Sequence, residues 1–330
     1  MRTIEHGAVV LAVCCGLVLV APGAPARSGA PGTLQVLVEP QAGMARIDQY
    51  LRGAHHSVDL EIYELADPAV ESILAADAAR GVRVRVILDR AYVGGENAAA
   101  FAYLGAHRVA VRWAPTRFDL DHEKAAVIDD ATALVMTMNL TARYDATTRD
   151  VVVVDTQPAD VVAIESSFGT DWQGGGAAAP AGEDLLWSPG SGQALVELID
   201  SARSTVDVEN EEMGDASITD ALADAAHRGV KVVVVMTADP AWAGAFDALR
   251  GAGVEVRTYP DIPSALYIHA KVVVVDVGRP DERAFVGSEN FSVTSLLYNR
   301  ELGVVTARHD VVETLGRMVV TDAAGGDAWR

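Results

Sequence analysis

His122-Glu123-Lys124-Ala125-Ala126-Val127-Ile128-Asp129 and His269-Ala270-Lys271-Val272-Val273-Val274-Val275-Asp276 follow one formula, His-x-Lys-x4-Asp, set 147 residues apart. Each octet runs into small and β-branched residues that read as a strand. Residues two apart on a strand point to the same face, so each His projects together with its Lys. Imidazole beside ammonium is a nucleophile or proton donor beside an anion clamp. A single occurrence is a modest signal. Two occurrences prompt a search for a repeat around them.

The repeat extends far beyond the motif. Ser57-Val58-Asp59-Leu60-Glu61 corresponds to Thr205-Val206-Asp207-Val208-Glu209, and Ala79-Arg80-Gly81-Val82 to His227-Arg228-Gly229-Val230, both at an offset of 148 residues. Asn139 corresponds to Asn290, and Arg149-Asp150 to Arg300-Glu301, at an offset of 151, so the second copy gains a four-residue loop near Gly278 to Glu282. So long a period is not a solenoid unit but a duplicated domain.

Each copy reads as alternating strand and helix. Val58 to Leu65 is strand-like, Pro68 to Arg80 has helical spacing with Pro at its start and Gly81 at its stop, and Val82 to Leu88, Lys124 to Ile128, Ala133 to Met138 and Val151 to Val154 are further strands. The second copy follows with Val206 to Glu209, Ile218 to His227, Val230 to Met236, Lys271 to Val275, Ala284 to Val286 and Leu302 to Val305. Continuous valine runs suit strands covered on both faces. The expected fold is α/β: two duplicated domains, each a mixed β-sheet flanked by helices, packed about a pseudo-twofold axis. Residues 27–173 make the first domain, 174–182 a small-residue linker, and 183–330 the second.

The chain carries a net charge of −20 and three lysines, Lys124, Lys231 and Lys271. Such a surface repels polyanions, and no Lys/Arg run offsets it, which argues against a dedicated nucleic-acid partner. Ala8 to Ala21 is a run of 14 apolar residues, short of the roughly 20 that span a bilayer. Ala24-Pro25-Ala26 then offers small residues to a signal peptidase, so residues 1–26 read as a signal peptide and the mature chain as secreted or periplasmic. An uncleaved anchor is the alternative. Both cysteines, Cys14 and Cys15, fall in that segment, leaving the mature chain no thiol for a disulfide, a metal or catalysis.

Each copy adds a polar pair at alternating positions, Thr137 with Asn139 and Ser288 with Asn290, able to donate hydrogen bonds to one face. Two copies brought face to face would surround one phosphate with two His, two Lys and two Asn. At this point the chain resembles the two-motif members of the phospholipase D superfamily, in which HxKx4D followed by GSxN occurs twice. The second copy fits throughout, with His269, Lys271, Asp276, Gly287, Ser288 and Asn290. The first has His122, Lys124, Asp129 and Asn139, but Met136-Thr137 in place of Gly-Ser; Thr keeps the hydroxyl, and Met136 is expected to crowd a place normally glycine. The resemblance covers nearly all of residues 34 to 320.

The resemblance implies a metal-independent phosphodiesterase that works in two steps through a phosphohistidine. It implies His122 as nucleophile and His269 as acid and then base. Lys124, Lys271, Asn139 and Asn290, with the hydroxyls of Thr137 and Ser288, would bind the phosphate oxygens. Asp150 and Glu301 would hydrogen-bond a catalytic His and fix its tautomer; their other reading is a salt bridge with the adjacent Arg149 or Arg300. Asp129 and Asp276, five residues beyond Lys on a strand, are expected to face away from it and are read as structural.

The acidic stretch Glu209-Asn210-Glu211-Glu212 matches Glu61-Ile62-Tyr63-Glu64 only in its first and last residues. It is read as a strand end near the cleft rather than a cation site, and no metal or other cofactor is expected. His55, His56, His107, His227 and His309 are read as solvated. The expectation is a secreted phospholipase D, a monomer because one chain holds both half-sites, whose partner is a phospholipid at a membrane or micelle surface. The rivals are a secreted endonuclease of the same superfamily, a cardiolipin synthase-like phosphatidyltransferase, and a catalytically idle binding module.

Overall fold

Successive residues of the strands that follow the two motifs enter different cores. Ala125 and Val127 face one apolar layer while Ala126 and Ile128 face another; Val272 and Val274 share the first layer, while Val273 and Val275 enter a third. This is the period-two alternation of strands with apolar cover on both faces. The computed structural model of the chain describes residues 32–142, 146–175 and 179–330. The segment 1–26 read as a signal peptide, with Cys14 and Cys15, lies outside the described residues, as does the middle of the 174–182 linker.

Two mixed sheets carry these strands in one repeated order. In the first, Leu34–Glu39, Thr148–Asp155, Thr132–Met136, Lys124–Ile128, Ser57–Ile62, Arg83–Leu88 and Ala110–Trp113 lie side by side. In the second, Leu185–Ser188, Glu301–Thr306, Arg283–Gly287, Val272–Val275, Thr205–Glu209, Lys231–Ala238 and Glu255–Pro260 follow the same succession, with Asp327–Ala328 added at the far edge. In both, the central strand, Ser57–Ile62 or Thr205–Glu209, runs parallel to the two strands on its outer side and antiparallel to the motif strand on its inner side.

Helices Ala45–Arg52, Pro68–Ala79 and Ala98–Ala106 cover the outer face of the first sheet. Gly192–Ser201, Ala216–His227 and Ala243–Gly251 cover that of the second. The inner faces meet in one shared core with Pro158–Trp172 and His309–Gly325, so both repeats belong to a single compact unit, Gly32–Arg330. Among the described residues, no helix is long and apolar enough to cross a membrane.

The duplication extends to the helix ends. Asp67 accepts the Ala69 N–H at 2.7 Å and Asp215 accepts the Ser217 N–H at 2.9 Å, capping equivalent helices. Gly81 and Gly229 stop those helices at φ of 97° and 86°, the left-handed region that glycine enters without a Cβ penalty.

Three local expectations change. The strand expected over Val58 to Leu65 is broken: Ser57–Ile62 stays in the sheet, while Leu65–Ala66 pairs with Leu140–Thr141 in a two-stranded ribbon. Asp129 and Asp276 lie past their strands at φ 55° each, instead of facing away along them. Asp276 accepts the N–H groups of Arg203, Ser204 and Thr205 at 2.9, 2.6 and 3.0 Å, and Asp129 accepts those of His55, His56 and Ser57. Each latches the turn that leads into a central strand. Met136, finally, does not crowd the site. It packs into the outer core beside Val152, whereas the second copy has Gly287 opposite Gly303 with Glu289 folded against them.

Candidate active site

The two repeats exchange backbone contacts at the motif. Asp121 bridges to Arg300, and Tyr267–Ile268 pairs with Thr148 and Arg149. His122 N–H donates to the Arg300 carbonyl at 2.9 Å, and His269 N–H to the Arg149 carbonyl at 3.1 Å. Each motif histidine is thus held against the other repeat's acid-bearing strand.

The side chains cross as well. His122 Nδ1 lies 2.7 Å from Glu301 Oε2, and His269 Nδ1 lies 2.8 Å from Asp150 Oδ1. A carboxylate can only accept, so each Nδ1 carries the proton and Nε2 is left for chemistry. The acids are themselves fixed. Asp150 Oδ1 accepts the Thr137 hydroxyl at 2.6 Å, and Glu301 Oε1 accepts Ser295 Oγ at 2.7 Å and Asn299 Nδ2 at 3.1 Å. The adjacent arginines have other partners: Arg149 meets Asp322, and Arg300 meets Glu123 and Asp171.

Both motif lysines are fully buried. Lys124 Nζ donates to the His122 carbonyl at 2.8 Å and lies 5.0 Å from the Tyr63 ring centroid. Lys271 Nζ donates to the His269 carbonyl at 2.5 Å and to Glu211 Oε2 at 3.1 Å. Burial pushes the Lys124 ammonium down to about 7, with Glu301 opposing and Lys271 reinforcing the shift. Burial also lowers His122, with Glu301 opposing and Lys124 and Lys271 reinforcing. The neutral imidazole, with a free lone pair on Nε2, is the favoured form.

Asn139 lines a cavity of about 580 Å³ beside His269, and its buried Oδ1 has no partner. Asn290 Oδ1 is likewise unpartnered, while its Nδ2 reaches toward Glu211 Oε2 at 3.5 Å and Glu212 Oε1 at 3.4 Å. Thr137 and Ser288 were expected to face a phosphate, and they do not. Their hydroxyls accept the Val151 N–H at 2.9 Å and the Leu302 N–H at 3.1 Å, both deeply buried. The strand ladders end at Met136 and Gly287, and the next N–H of the neighbouring strand takes a hydroxyl in place of a carbonyl.

The sequence reading sets Glu211 in a strand end near the cleft without giving it a role, and does not single out Tyr267. Glu211 Oε2 lies 3.4 Å from His269 Nε2, and the Tyr267 hydroxyl donates to Glu211 Oε1 at 2.8 Å. Burial pushes the Glu211 carboxyl up, but the charges of Lys271 and His269 and the hydrogen bonds of Tyr267 and Lys271 hold it well below the usual carboxylate range. Its repeat counterpart is Tyr63, which meets the His122 ring edge-on with centroids 4.6 Å apart. The available signal was that mismatch, two positions beyond the matched Glu61 and Glu209. Elsewhere, Asp59, Asp130 and Glu165 converge, but Arg83 and Arg85 already bridge them.

Residues 47–172 and 195–319 both match the domain family described as cardiolipin synthase, PLD-like domain. Among solved structures, phosphatidylserine synthase from Haemophilus influenzae Rd KW20 is 13% identical with a TM-score of 0.69, over 90% of this chain and 87% of that one. Polyphosphate kinase from Porphyromonas gingivalis is 15% identical with a TM-score of 0.66 over 88% of this chain, which spans only 50% of that one. The phospholipase D family member Nuc from Salmonella typhimurium is 21% identical with a TM-score of 0.41, over 45% of this chain and 99% of that one. At these identities the likeness to the first two is one of fold. No curated protein matches the chain.

Proposed function

With both repeats matched, the chain belongs to the phospholipase D superfamily, and from that membership we propose that it cleaves phospholipid headgroups through a phosphohistidine on His122. The observation that carries this reading is the crossed pair of imidazole–carboxylate bonds, His122 to Glu301 and His269 to Asp150. They commit both Nδ1 atoms and leave both Nε2 atoms to the substrate.

In the first step His122 Nε2 attacks phosphorus, the bond from phosphorus to the headgroup oxygen breaks, and that oxygen takes the proton of His269 Nε2. In the second, His269 accepts a proton from water, the water oxygen bonds to phosphorus, and the phosphorus–nitrogen bond breaks to free His122. Lys124, Lys271, Asn139 and Asn290 face the charge that gathers on the non-bridging oxygens. Two features support the division of labour. Burial favours neutral His122. His269 has a carboxylate beside each ring nitrogen, Asp150 at 2.8 Å and Glu211 at 3.4 Å, and negative charge on both sides suits the group that delivers a proton to the leaving oxygen.

Secretion is part of the proposal and rests on the apolar run Ala8 to Ala21 followed by Ala24-Pro25-Ala26. One chain holding both half-sites supports a monomer. The matched family's description favours a second acceptor, an alcohol in place of water, which would make the same intermediate a phosphatidyl donor. The test is to offer mature protein short-chain soluble phospholipids and single- and double-stranded DNA, with a chelator, with and without added glycerol. Phosphatidic acid from the lipids is the expected product, joined by phosphatidylglycerol when glycerol is present. Cleavage of DNA in place of lipid would turn the reading into a nuclease, against which the net charge of −20 argues.

A further inference from the structure

Glu211 puts a carboxylate where one copy of the motif is built to hold a phosphate oxygen. Its Oε2 lies 3.1 Å from Lys271 Nζ, 3.4 Å from His269 Nε2 and 3.5 Å from Asn290 Nδ2. These three nitrogens are the His, Lys and Asn of the second repeat. An anionic oxygen facing all three takes the place of a non-bridging phosphoryl oxygen. The first repeat differs at the same position, where Tyr63 brings a neutral ring over Lys124.

We propose that Glu211 is a displaceable internal anion, closing the second half of the phosphate site at rest and exchanging its carboxylate for an oxygen of the incoming phosphodiester. The substrate side of this inference rests on the phosphodiesterase reading above, whereas the plug rests on the contacts alone.

Two consequences follow from the exchange. Small oxyanions must compete with a carboxylate already in place. The displaced carboxylate must also find a new environment, and Glu211 lines the cavity of about 580 Å³ beside His269. That cavity is also lined by Glu39, Asp150 and Asp261, with no Lys or Arg among the described residues. Glu39 is 3% exposed, and its Oε1 is buried without a partner. Because His269 protonates the leaving alcohol, the leaving group enters this cavity. An alcohol bearing an ammonium gives Glu211 a replacement for Lys271. A neutral polyol gives none, and an anionic group adds repulsion. One glutamate thereby filters the leaving group by charge.

The test uses the mature protein, its Glu211→Gln and Tyr267→Phe variants, and tungstate as the oxyanion probe, titrated by calorimetry. In parallel, kcat/KM is measured for dihexanoyl phosphatidylcholine and dihexanoyl phosphatidylglycerol. Tungstate is expected to bind Glu211→Gln about tenfold tighter than wild type, because a charged competitor is gone. Tyr267→Phe, which only loosens Glu211, should fall between them and covers the case of a misfolded Glu211 variant. The wild-type preference for the choline ester should shrink in Glu211→Gln, mainly through a gain on the glycerol ester. Equal tungstate affinities in all three proteins would overturn the plug. A tighter tungstate site with an unchanged headgroup ratio would overturn the charge filter. If wild type cleaves neither lipid, the phospholipid reading fails, and the tungstate titration still decides for or against Glu211.

Discussion

His122 and Glu301 stand 179 positions apart in the chain and 2.7 Å apart in the fold. Their pseudo-twofold mates, His269 and Asp150, are 119 positions apart and 2.8 Å apart. Neither repeat therefore contains a complete imidazole–acid pair. The strands that carry these residues lie side by side across the repeats, at Asp121 with Arg300 and at Tyr267–Ile268 with Thr148 and Arg149.

Removing the charge from one crossed acid should disable chemistry without unfolding the chain. Glu301→Gln keeps the shape but no longer requires His122 Nδ1 to hold the proton. The expected loss in kcat on a soluble diester is roughly 10³-fold or more, with KM little changed, as for other histidines deprived of their orienting carboxylate. Asp150→Asn should behave likewise through His269. A loss below about tenfold in both variants, less than orienting partners usually contribute, would remove the crossed pairs from the mechanism.

The latches should separate stability from activity. Asp276 is 1% exposed and accepts three backbone N–H groups from a left-handed residue. Asp276→Ala leaves those donors unmet and should cost about 3 kcal/mol, the scale of a lost charge-assisted hydrogen bond plus a buried unsatisfied group. Chemical denaturation measures that loss, while kcat per folded molecule should stay close to wild type. A drop in kcat at full stability would move Asp276 from scaffold to site.

The duplicated fold was legible in the sequence because its markers are local. Gly81 and Gly229 stop helices wherever those helices pack, and His-x-Lys shares a face on any strand. The partnership of His122 with Glu301 was not legible, because periodicity assigns each residue a face but not the strand of the other repeat that lies beside it. Thr137 and Ser288 were misplaced for a related reason. Alternation predicts their direction but not that the ladder ends one residue earlier and draws their hydroxyls into the backbone. Glu211 was passed over because comparing repeats rewards matches, and its importance lies in differing from Tyr63.

The first repeat buries an excess of acid around Arg300, and stability should therefore fall as pH rises. Glu61, Asp121, Glu123 and Asp171 all act on that guanidinium or touch it, whereas Asp121 and Glu123 correspond to Ile268 and Ala270 in the second repeat. Burial, reinforced by neighbouring carboxylates and opposed by Arg300, raises Asp121 to about 7, Glu123 to about 8 and Glu61 well above its ordinary value. A carboxyl whose folded value is raised binds its proton more tightly in the folded chain. Its contribution is complete below the ordinary values of 3.8 and 4.5 and is lost as pH climbs through about 7 to about 8. His122, which is lowered, works the other way just below 6.5, and Lys124, lowered to about 7, works the other way above that value; these two stand against the three raised carboxyls and against Asp155 and Glu165, both also raised to about 7. Thermal melts should give a higher Tm near pH 5 than near pH 8, and Glu123→Gln should flatten the slope. A wild-type Tm that rises across that interval would contradict the assignment.

The two histidines should part company on a good leaving group. A poor alkoxide needs the proton of His269, whereas p-nitrophenolate hardly does, so the acid can be removed while the nucleophile is still watched. With bis(p-nitrophenyl) phosphate, His122→Ala should release no burst and form no covalent adduct. His269→Ala should release about one equivalent of nitrophenolate per enzyme and then stall, because no base remains to activate water for the second step. Quenching at alkaline pH, where a phosphohistidine survives, followed by peptide mapping should place the adduct on His122 in both wild type and His269→Ala. An adduct on His269 in wild type would exchange the two roles and leave the crossed site intact. Turnover persisting in both variants, with no adduct on either residue, would mean that the crossed imidazoles are not the catalytic pair.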